Sequence, residues 1–247
     1  MMQNDIDVFM AVPSFNEEDI RNKTVVIIDV LRASTTMVTA IENGAKGIIP
    51  VENMDAAGRI SQSLDSPQYL LCGEKDGKKI EGYHLGNSPL EYTRETVEGK
   101  TIILNTTNGT KAVKKAVAAD ELIIGSFLNL DQVVKKLSSV EQDIALVCAG
   151  WRGRLSLEDM LCAGNIVYDL LGGTLPPQAK DVVGITFGLF EKFGDDIEGI
   201  IEQSDHARRL REIMDRQDIT YSCKMNITDV LPVLNDGMIT NSNGKET

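Results

Sequence analysis

The chain has 247 residues, of which 42% are hydrophobic and 25% are charged. This balance is typical of a globular protein and excludes a wholly disordered chain. No apolar run approaches the roughly 18 residues that a bilayer requires, which excludes a membrane-spanning helix. The 37 acidic and 25 basic residues give a net charge of −12, which excludes a nucleic-acid-binding protein that works through a basic surface.

Strands and helices alternate along the first two thirds of the chain. Residues 24–28 form a continuous β-branched run typical of a strand buried on both faces, and residues 33–43 carry apolar side chains at helical spacing. Further strands are predicted at residues 47–51, 69–73, 101–104, 121–124 and 143–147, and further helices at 111–119 and 156–171. Repeated βαβ units predict a three-layer α/β/α fold with a largely parallel or mixed sheet.

Beyond residue 175 the pattern becomes mainly helical. Helices are predicted at 176–193, 195–203 and 205–215, followed by short strands at 219–223 and 230–239. No segment has the composition of a flexible linker, so we expect one compact unit over residues 1–247. The recurrence of the strand, turn and helix order suggests two pseudo-repeated halves, at about residues 1–98 and 99–247.

The turn after the first predicted strand holds an unusual set of polar residues. Asp29 ends the strand, Arg32 follows, and three hydroxyl residues start the helix: Ser34, Thr35 and Thr36. Ligands of open α/β sheets bind beyond the carboxyl ends of the strands, and both a helix N-terminus and an arginine favour phosphate. A carboxylate next to phosphate is reasonable if Mg²⁺ lies between them. The structural alternative is that the hydroxyls cap the helix and Arg32 pairs with Asp29 on the surface.

A second polar turn follows the strand at residues 101–104. It offers hydroxyls, amides and backbone N–H groups to an anion, although an elaborate helix cap would have the same composition. Its residues are Asn105, Thr106, Thr107, Asn108, Gly109 and Thr110.

Other strand and helix ends supply charged candidates. Residues 150–159 contribute Arg152, Arg154 and the acids Glu158 and Asp159, which also fit a plain role at a helix N-terminus. Glu74 follows another strand and is a candidate second metal ligand. Two further pairs are candidates for lining the site: Asn87 with Ser88, and Ser204 with His206.

In their order along the chain these segments resemble the 2-phosphosulfolactate phosphatase family, enzymes of coenzyme M biosynthesis. The matching stretches are residues 26–36 (VIIDVLRASTT), 72–74 (CGE), 86–89 (GNSP), 105–110 (NTTNGT), 149–156, 158–159 with Gly164, and Ser204 with His206. The resemblance implies a three-layer α/β fold and Mg²⁺-dependent hydrolysis of a phosphate ester on a three-carbon acid.

The resemblance also suggests roles for the candidates. Arg32 and the helix start at residues 34–36 are expected to bind phosphate, with Mg²⁺ held by Asp29, Glu74 and Asp159. Arg152, Arg154 and the turn at residues 105–110 are then available to the carboxylate and sulfonate ends of the substrate, with Asn87, Ser88 and Ser204 lining the site. Asp29 either attacks phosphorus or only holds the metal, and the leaving alkoxide is protonated by His206 or by a carboxylate such as Asp159.

Two other functions fit the same residues. A non-catalytic sensor of a phosphorylated or sulfonated acid would use the anion-binding turns, and a metal-dependent lyase or isomerase would act on a phosphorylated acid and leave its phosphate in place. Haloacid-dehalogenase-type phosphatases are disfavoured because the position two residues after Asp29 is Leu31, and no P-loop or G-x-S-x-G motif is present.

The expected partner is a small anionic phosphorylated metabolite, with no nucleic acid and no membrane. The start of the chain has neither the basic nor the apolar block of a signal peptide, so we expect a cytoplasmic protein. The four cysteines form no C-x-x-C pair and are expected to be reduced packing residues. A homodimer is the default expectation.

Overall fold

The computed structural model describes residues 4–63, 68–213 and 216–242. These residues form a ten-stranded mixed sheet with helices on both faces, which confirms the predicted three-layer α/β fold. The strands are β1 (Ile6–Phe9), β2 (Lys23–Ile28), β3 (Gly47–Val51), β4 (Tyr69–Lys75), β5 (Lys78–Lys79), β6 (Thr101–Asn105), β7 (Glu121–Gly125), β8 (Asp143–Cys148), β9 (Pro232–Asn235) and β10 (Met238–Asn241).

The sheet consists of two parallel blocks joined by a hairpin. Its strand order is β1-β8-β2-β7-β9-β10-β3-β6-β4-β5. Strands β1, β8, β2 and β7 pair parallel with one another in the first block, and β3, β6 and β4 do so in the second, where β5 adds an antiparallel edge to β4. The C-terminal hairpin β9–β10 pairs antiparallel with β7 on one side and with β3 on the other. Strands from both predicted halves of the chain enter each block, and the division into pseudo-repeated halves stays a prediction.

The helices cover both faces of this sheet. None of those within the described ranges is long and apolar enough to cross a membrane. They are α1 (Glu17–Ile20), α2 (Ala33–Glu42), α3 (Met54–Ser61), α4 (Arg94–Val97), α5 (Gly109–Lys115), α6 (Leu130–Leu137), α7 (Leu157–Leu170), α8 (Asp181–Phe193), α9 (Ile197–Glu202), α10 (Asp205–Leu210) and α11 (Gln217–Ser222).

Burial on both faces of β2 explains why residues 25–28 are all apolar. Successive side chains of a strand point to opposite faces of the sheet. Val26 and Ile28 belong to one buried cluster, together with residues of α6 and α7, while Val25 and Ile27 belong to another, together with residues of α2 and α5. Both faces of the strand are therefore covered, as the sequence predicted.

Most predicted elements are confirmed, with ends that differ by a few residues. The clear error is the strand predicted at residues 219–223, because residues 219–222 belong to the helix α11 and Cys223 follows its end. In α11 the Ser222 hydroxyl donates to the Asp218 carbonyl at 2.8 Å, and Ile219 packs in the core. Tertiary burial has overridden the β-branched composition of this segment. The predicted helix at 205–215 ends at Leu210, and residues 214–215 lie outside the described ranges.

Candidate functional site

A cleft lies where several strands end. Asp29 follows β2, Glu74 lies near the end of β4, and Trp151 follows β8. The space in the cleft, about 670 Å³, includes open solvent at its mouth. Its lining residues are Asp29, Leu31, Arg32, Glu74, Asp76, Gly77, Asn87, Thr107, Asn108, Trp151, Arg152, His206, Arg209, Leu210 and Ile213. The structure thus brings Asp29, Arg32 and the turn at residues 105–110 to one shared cavity.

Asp29 is a buried carboxylate with one oxygen in use. Its Oδ1 accepts the backbone N–H of Ala33 at 3.2 Å, while Oδ2 has no hydrogen-bond donor among the residues that the structure describes. Burial raises the pKa of Asp29 to about 6; the nearby charges of Glu74 and Glu158 add to the rise, and His206 and the Ala33 N–H oppose it. Oδ2 is therefore an acceptor that a cation or a proton would satisfy.

The three hydroxyls after Asp29 are bound within the protein. Ser34 Oγ accepts the backbone N–H of Asp29 at 3.0 Å, Thr35 donates to the Val30 carbonyl at 2.8 Å, and Thr36 donates to the Asn87 carbonyl at 2.9 Å. Backbone N–H groups at the start of α2 bond to Asp29 and Arg32 instead of facing the cleft. The structure thus gives residues 34–36 a different role from the predicted phosphate binding, because their hydrogen-bonding groups hold the Asp29 turn in shape.

Arg32 lies in the cleft but is part of a buried ion pair. Its Nη1 donates to Asp218 Oδ2 at 2.8 Å and its Nη2 to the Gly77 carbonyl at 2.9 Å, while Ser88 donates to Asp218 Oδ1 at 2.6 Å. The side chains of Arg32 and Asp218 are only 5% and 3% exposed. Asp218 was not among the predicted site residues, because it lies next to a segment that was predicted as a strand.

Glu74 joins two loops at the edge of the cleft. Its Oε1 accepts the Thr107 N–H at 2.6 Å, and its Oε2 accepts the Gly77 N–H at 2.6 Å and the Thr107 hydroxyl at 3.0 Å. In the 105–110 turn, Thr106 and Thr110 bond to each other and close the start of α5, so only Thr107 and Asn108 line the cleft. Asn105 is buried at the end of β6.

The 105–110 turn approaches Asp29 so closely that residue 109 must be glycine. A Cβ at Gly109 would lie 2.4 Å from Ala33 Cβ and 2.7 Å from Asp29 Oδ2. We expect Gly109→Ala to displace the Asp29 carboxylate, lowering the ester hydrolysis that the resemblance predicts at least about 100-fold and lowering stability by about 1–3 kcal/mol. Kinetics and thermal unfolding measure both effects. Gly58→Ala in α3, where a Cβ meets nothing within 4 Å, is the matched control and should be stabilising with unchanged activity.

His206 lines the cleft and is held by contacts with two neighbours. Its Nδ1 lies 2.6 Å from Glu158 Oε1, and its ring stacks on Trp151 with centroids 5.2 Å apart and planes 18° apart. Arg152 covers Trp151, with its guanidinium carbon 4.6 Å from the ring centroid. Arg209, one helical turn after His206, adds a further cation that the sequence reading did not single out.

The remaining predicted residues have structural contacts. Both Asp159 oxygens accept backbone N–H groups, from Val30 at 2.8 Å and from Gly150 at 3.0 Å. Asp159 thus ties together the turns after β2 and β8 and does not line the cleft. Burial and the charges of Asp29 and Glu158 raise the pKa of Asp159 well above its ordinary value. Ser204 caps α10 by accepting the Ala207 N–H at 3.0 Å, and Arg154 is exposed outside the cleft lining.

Cys148 and Arg154 have the C-x₅-R spacing of a cysteine-dependent phosphatase, but they do not form that site. Cys148 is fully buried, and burial raises the pKa of its thiol well above its ordinary value, which keeps it protonated. Its sulfur lies 4.0 Å from the Met160 sulfur, whereas Arg154 is exposed. The cysteine is a packing residue, as the sequence predicted.

The donor chemistry of the cleft fits Mg²⁺ with a small ligand set. Within the described ranges no cluster of three or more His, Cys, Asp or Glu side chains is arranged to hold a metal ion. Magnesium commonly uses only one or two carboxylates, together with water and substrate phosphate. Asp29 and Glu74 both line the cleft, and Oδ2 of Asp29 has no donor among the described residues. Asp159 does not fit as a third ligand, because it does not line the cleft.

Comparison with known proteins identifies the family. The family model described as 2-phosphosulpholactate phosphatase matches residues 10–237. A probable 2-phosphosulfolactate phosphatase of Caldanaerobacter subterraneus subsp. tengcongensis is 39% identical over 237 residues, covering 96% of this chain and 98% of the relative. Another, from Clostridium acetobutylicum, is 35% identical over 234 residues, covering 95% of this chain and 99% of the relative. The chain therefore belongs to the 2-phosphosulfolactate phosphatase family, a family of phosphoric monoester hydrolases.

Proposed function

We propose that this protein is a Mg²⁺-dependent phosphatase that hydrolyses the phosphate ester of a small 2-phospho acid such as 2-phosphosulfolactate, giving 3-sulfolactate and phosphate. The observation that carries the proposal is the cleft itself, in which the carboxylate of Asp29 faces a cavity that also contains arginines and a histidine. The family and the names of the relatives support the reaction class and the substrate.

The charge of the cleft suits a polyanionic substrate. The protein carries a net charge of −12, so an anion needs a local concentration of positive charge. Arg32, Arg152 and Arg209 supply that charge from three separate parts of the chain. Because Arg32 is already paired with Asp218, we assign Arg152 and Arg209 to the carboxylate and sulfonate ends of the substrate, with the free N–H groups of Arg32 near the phosphate.

Asp29 and Glu74 are the residues that would hold the metal. When bound, Mg²⁺ would stabilise the negative charge that develops on the transferring phosphoryl group. The Ala33 N–H and the Ser34 hydroxyl orient the Asp29 turn, and Glu74 fixes the loops at residues 74–77 and 105–110 around it. The second role for Asp29 is that of a nucleophile, which predicts a phosphoenzyme that acid quenching would trap.

His206 is the proposed proton donor to the leaving oxygen. Its side chain is 12% exposed and lines the cleft, so it is sheltered from bulk solvent and accessible to a ligand. Asp159, the carboxylate considered as an alternative acid, has both oxygens bound to backbone N–H groups and does not line the cleft. Geometry therefore favours His206.

Phosphate release separates this function from its two rivals. We expect the protein to release inorganic phosphate from 2-phosphosulfolactate and from 2-phospholactate, with activity lost in EDTA and restored by Mg²⁺. A sensor would bind these esters without phosphate release, and a lyase or isomerase would give a product that retains its phosphate. Either result, checked by phosphate assay and ³¹P NMR, would contradict the proposal. A role in coenzyme M biosynthesis, a cytoplasmic location and a homodimer stay predictions.

A further inference from the structure

Glu158 lies in α7 behind the cleft and is fully buried. Its Oε1 lies 2.6 Å from His206 Nδ1, while its Oε2 is buried without a hydrogen-bond partner among the described residues. A buried carboxylate oxygen without a donor is destabilising, and a buried ion pair is often no more stable than an apolar pair of similar volume. The Glu158–His206 contact is therefore poorly explained by fold stability alone.

Two contacts together restrict the His206 ring. The bond to Glu158 fixes the edge that carries Nδ1, and the Trp151 ring covers one face. The turn that presents Trp151 is closed by backbone bonds between residues 151 and 154, and Gly150 leaves no space for a Cβ, which would lie 2.4 Å from the Arg154 carbonyl oxygen. With Nδ1 engaged, Nε2 is the nitrogen that remains for the cleft.

We propose that Glu158 is a positioning residue that holds His206 with Nδ1 protonated and with a proton on Nε2 available to the leaving oxygen of the ester. This proposal rests on the proposed phosphatase function. Because a carboxylate only accepts hydrogen bonds, Nδ1 of His206 must be the donor. In the other histidine, His84, Nδ1 accepts the Leu71 N–H at 2.9 Å and so carries no proton.

The proton transfer balances as a hydrolysis. The bond between phosphorus and the alkyl oxygen breaks, its electron pair stays on that oxygen, and the oxygen takes the Nε2 proton of His206. Water supplies the oxygen that bonds to phosphorus and the proton that restores His206. Glu158 takes no part in the proton transfer and holds the Nδ1 edge of the ring throughout.

The effect of the leaving group on the rate distinguishes a positioning role of Glu158 from a merely structural one. In 3,3,3-trifluoro-2-phospholactate the fluorines make the leaving alkoxide more stable, so it needs less protonation than the alkoxide of 2-phospholactate. We expect Glu158→Gln and His206→Gln each to lower kcat on 2-phospholactate about 100-fold or more. The fall in kcat on the trifluoro ester should be at least about tenfold smaller. In the double variant kcat on 2-phospholactate should fall little further than in either single variant.

A matched control separates positioning from destabilisation. Ile166→Val removes a buried methylene from α7, the helix that carries Glu158, so it should lower the unfolding temperature without changing the rate ratio of the two esters. If Glu158→Gln does not fold, Glu158→Asp gives the same readout, because the shorter carboxylate withdraws from His206.

An NMR signal tests the same contact without turnover. The chain has two histidines, so ¹⁵N-histidine labelling gives a simple spectrum. We expect a downfield Nδ1–H resonance from His206 that disappears in Glu158→Gln. An unchanged ester ratio in Glu158→Gln, or an unchanged resonance, would overturn the positioning role alone. Absence of phosphate release by the wild type on both esters would overturn the proposed function, and this inference with it.

Discussion

Replacing Asp29 by asparagine is expected to abolish phosphate release while the protein still folds. The amide oxygen of the new side chain would still accept the Ala33 N–H, but it carries no charge for a cation and cannot attack phosphorus. We expect kcat on 2-phosphosulfolactate to fall at least about 1,000-fold, equivalent to about 4 kcal/mol of transition-state stabilisation. Phosphate assay and circular dichroism measure the two halves of this prediction. Near-normal turnover in Asp29→Asn would remove Asp29 from the mechanism.

The pH dependence of stability gives an independent check on Asp29. Its pKa rises from 3.8 to about 6 in the folded protein, so the folded state binds this proton more tightly than the unfolded state does. The free energy of unfolding that protonated Asp29 contributes is therefore fully present below pH 3.8 and is lost as the pH rises to about 6. In metal-free protein, urea titrations should show this loss of unfolding free energy in the wild type relative to Asp29→Asn. If the unfolding free energies of the wild type and of Asp29→Asn change with pH in the same way, the raised pKa of Asp29 is contradicted.

Magnesium binding should also distinguish the wild type from Asp29→Asn in the absence of substrate. A ligand that binds only the folded state stabilises it by about 2.7 kcal/mol at 100 times its dissociation constant. We expect Mg²⁺ to raise the unfolding temperature of the wild type at pH 7 and to leave that of Asp29→Asn nearly unchanged. Equal shifts in both proteins would place the metal elsewhere.

The second large effect is expected from Arg32→Lys. Lysine keeps the positive charge but cannot contact both Asp218 Oδ2 and the Gly77 carbonyl while offering further N–H groups to phosphate. We expect kcat/KM to fall about 100-fold or more and the unfolding free energy to fall by about 1–3 kcal/mol. Steady-state kinetics and urea unfolding measure these changes.

Arg21→Lys is the matched control for this substitution. Arg21 pairs with Glu17 on the surface, where both side chains are more than half exposed, so the same change should have no measurable effect. If Arg32→Lys loses stability but keeps kcat and KM, Arg32 serves only to pair with Asp218. If neither stability nor kinetics changes, the buried ion pair has no role in either.

The position of the cleft could be predicted because it depends on local patterns. The β-branched run of β2 and the polar residues that follow it indicate a buried parallel strand, and ligands of such sheets bind at strand ends. Asp29, Glu74 and the turn at residues 105–110 were predicted in this way, and Asp29, Glu74, Thr107 and Asn108 line the cleft. The roles of residues 34–36 could not be predicted in this way, because a hydroxyl at a helix start can bind either a ligand or its own backbone.

The amino-acid pattern was sufficient for the layered α/β architecture, the buried strands and the strand end that carries Asp29, because these follow from the periodicity of residues near one another in the chain. The folded structure was needed to show that Arg32 pairs with Asp218, that Glu158 holds His206, and that Asp159 ties two turns together. Each of these contacts joins residues far apart in the chain, and the geometry that selects one partner among many charged residues exists only after the sheet and helices have packed.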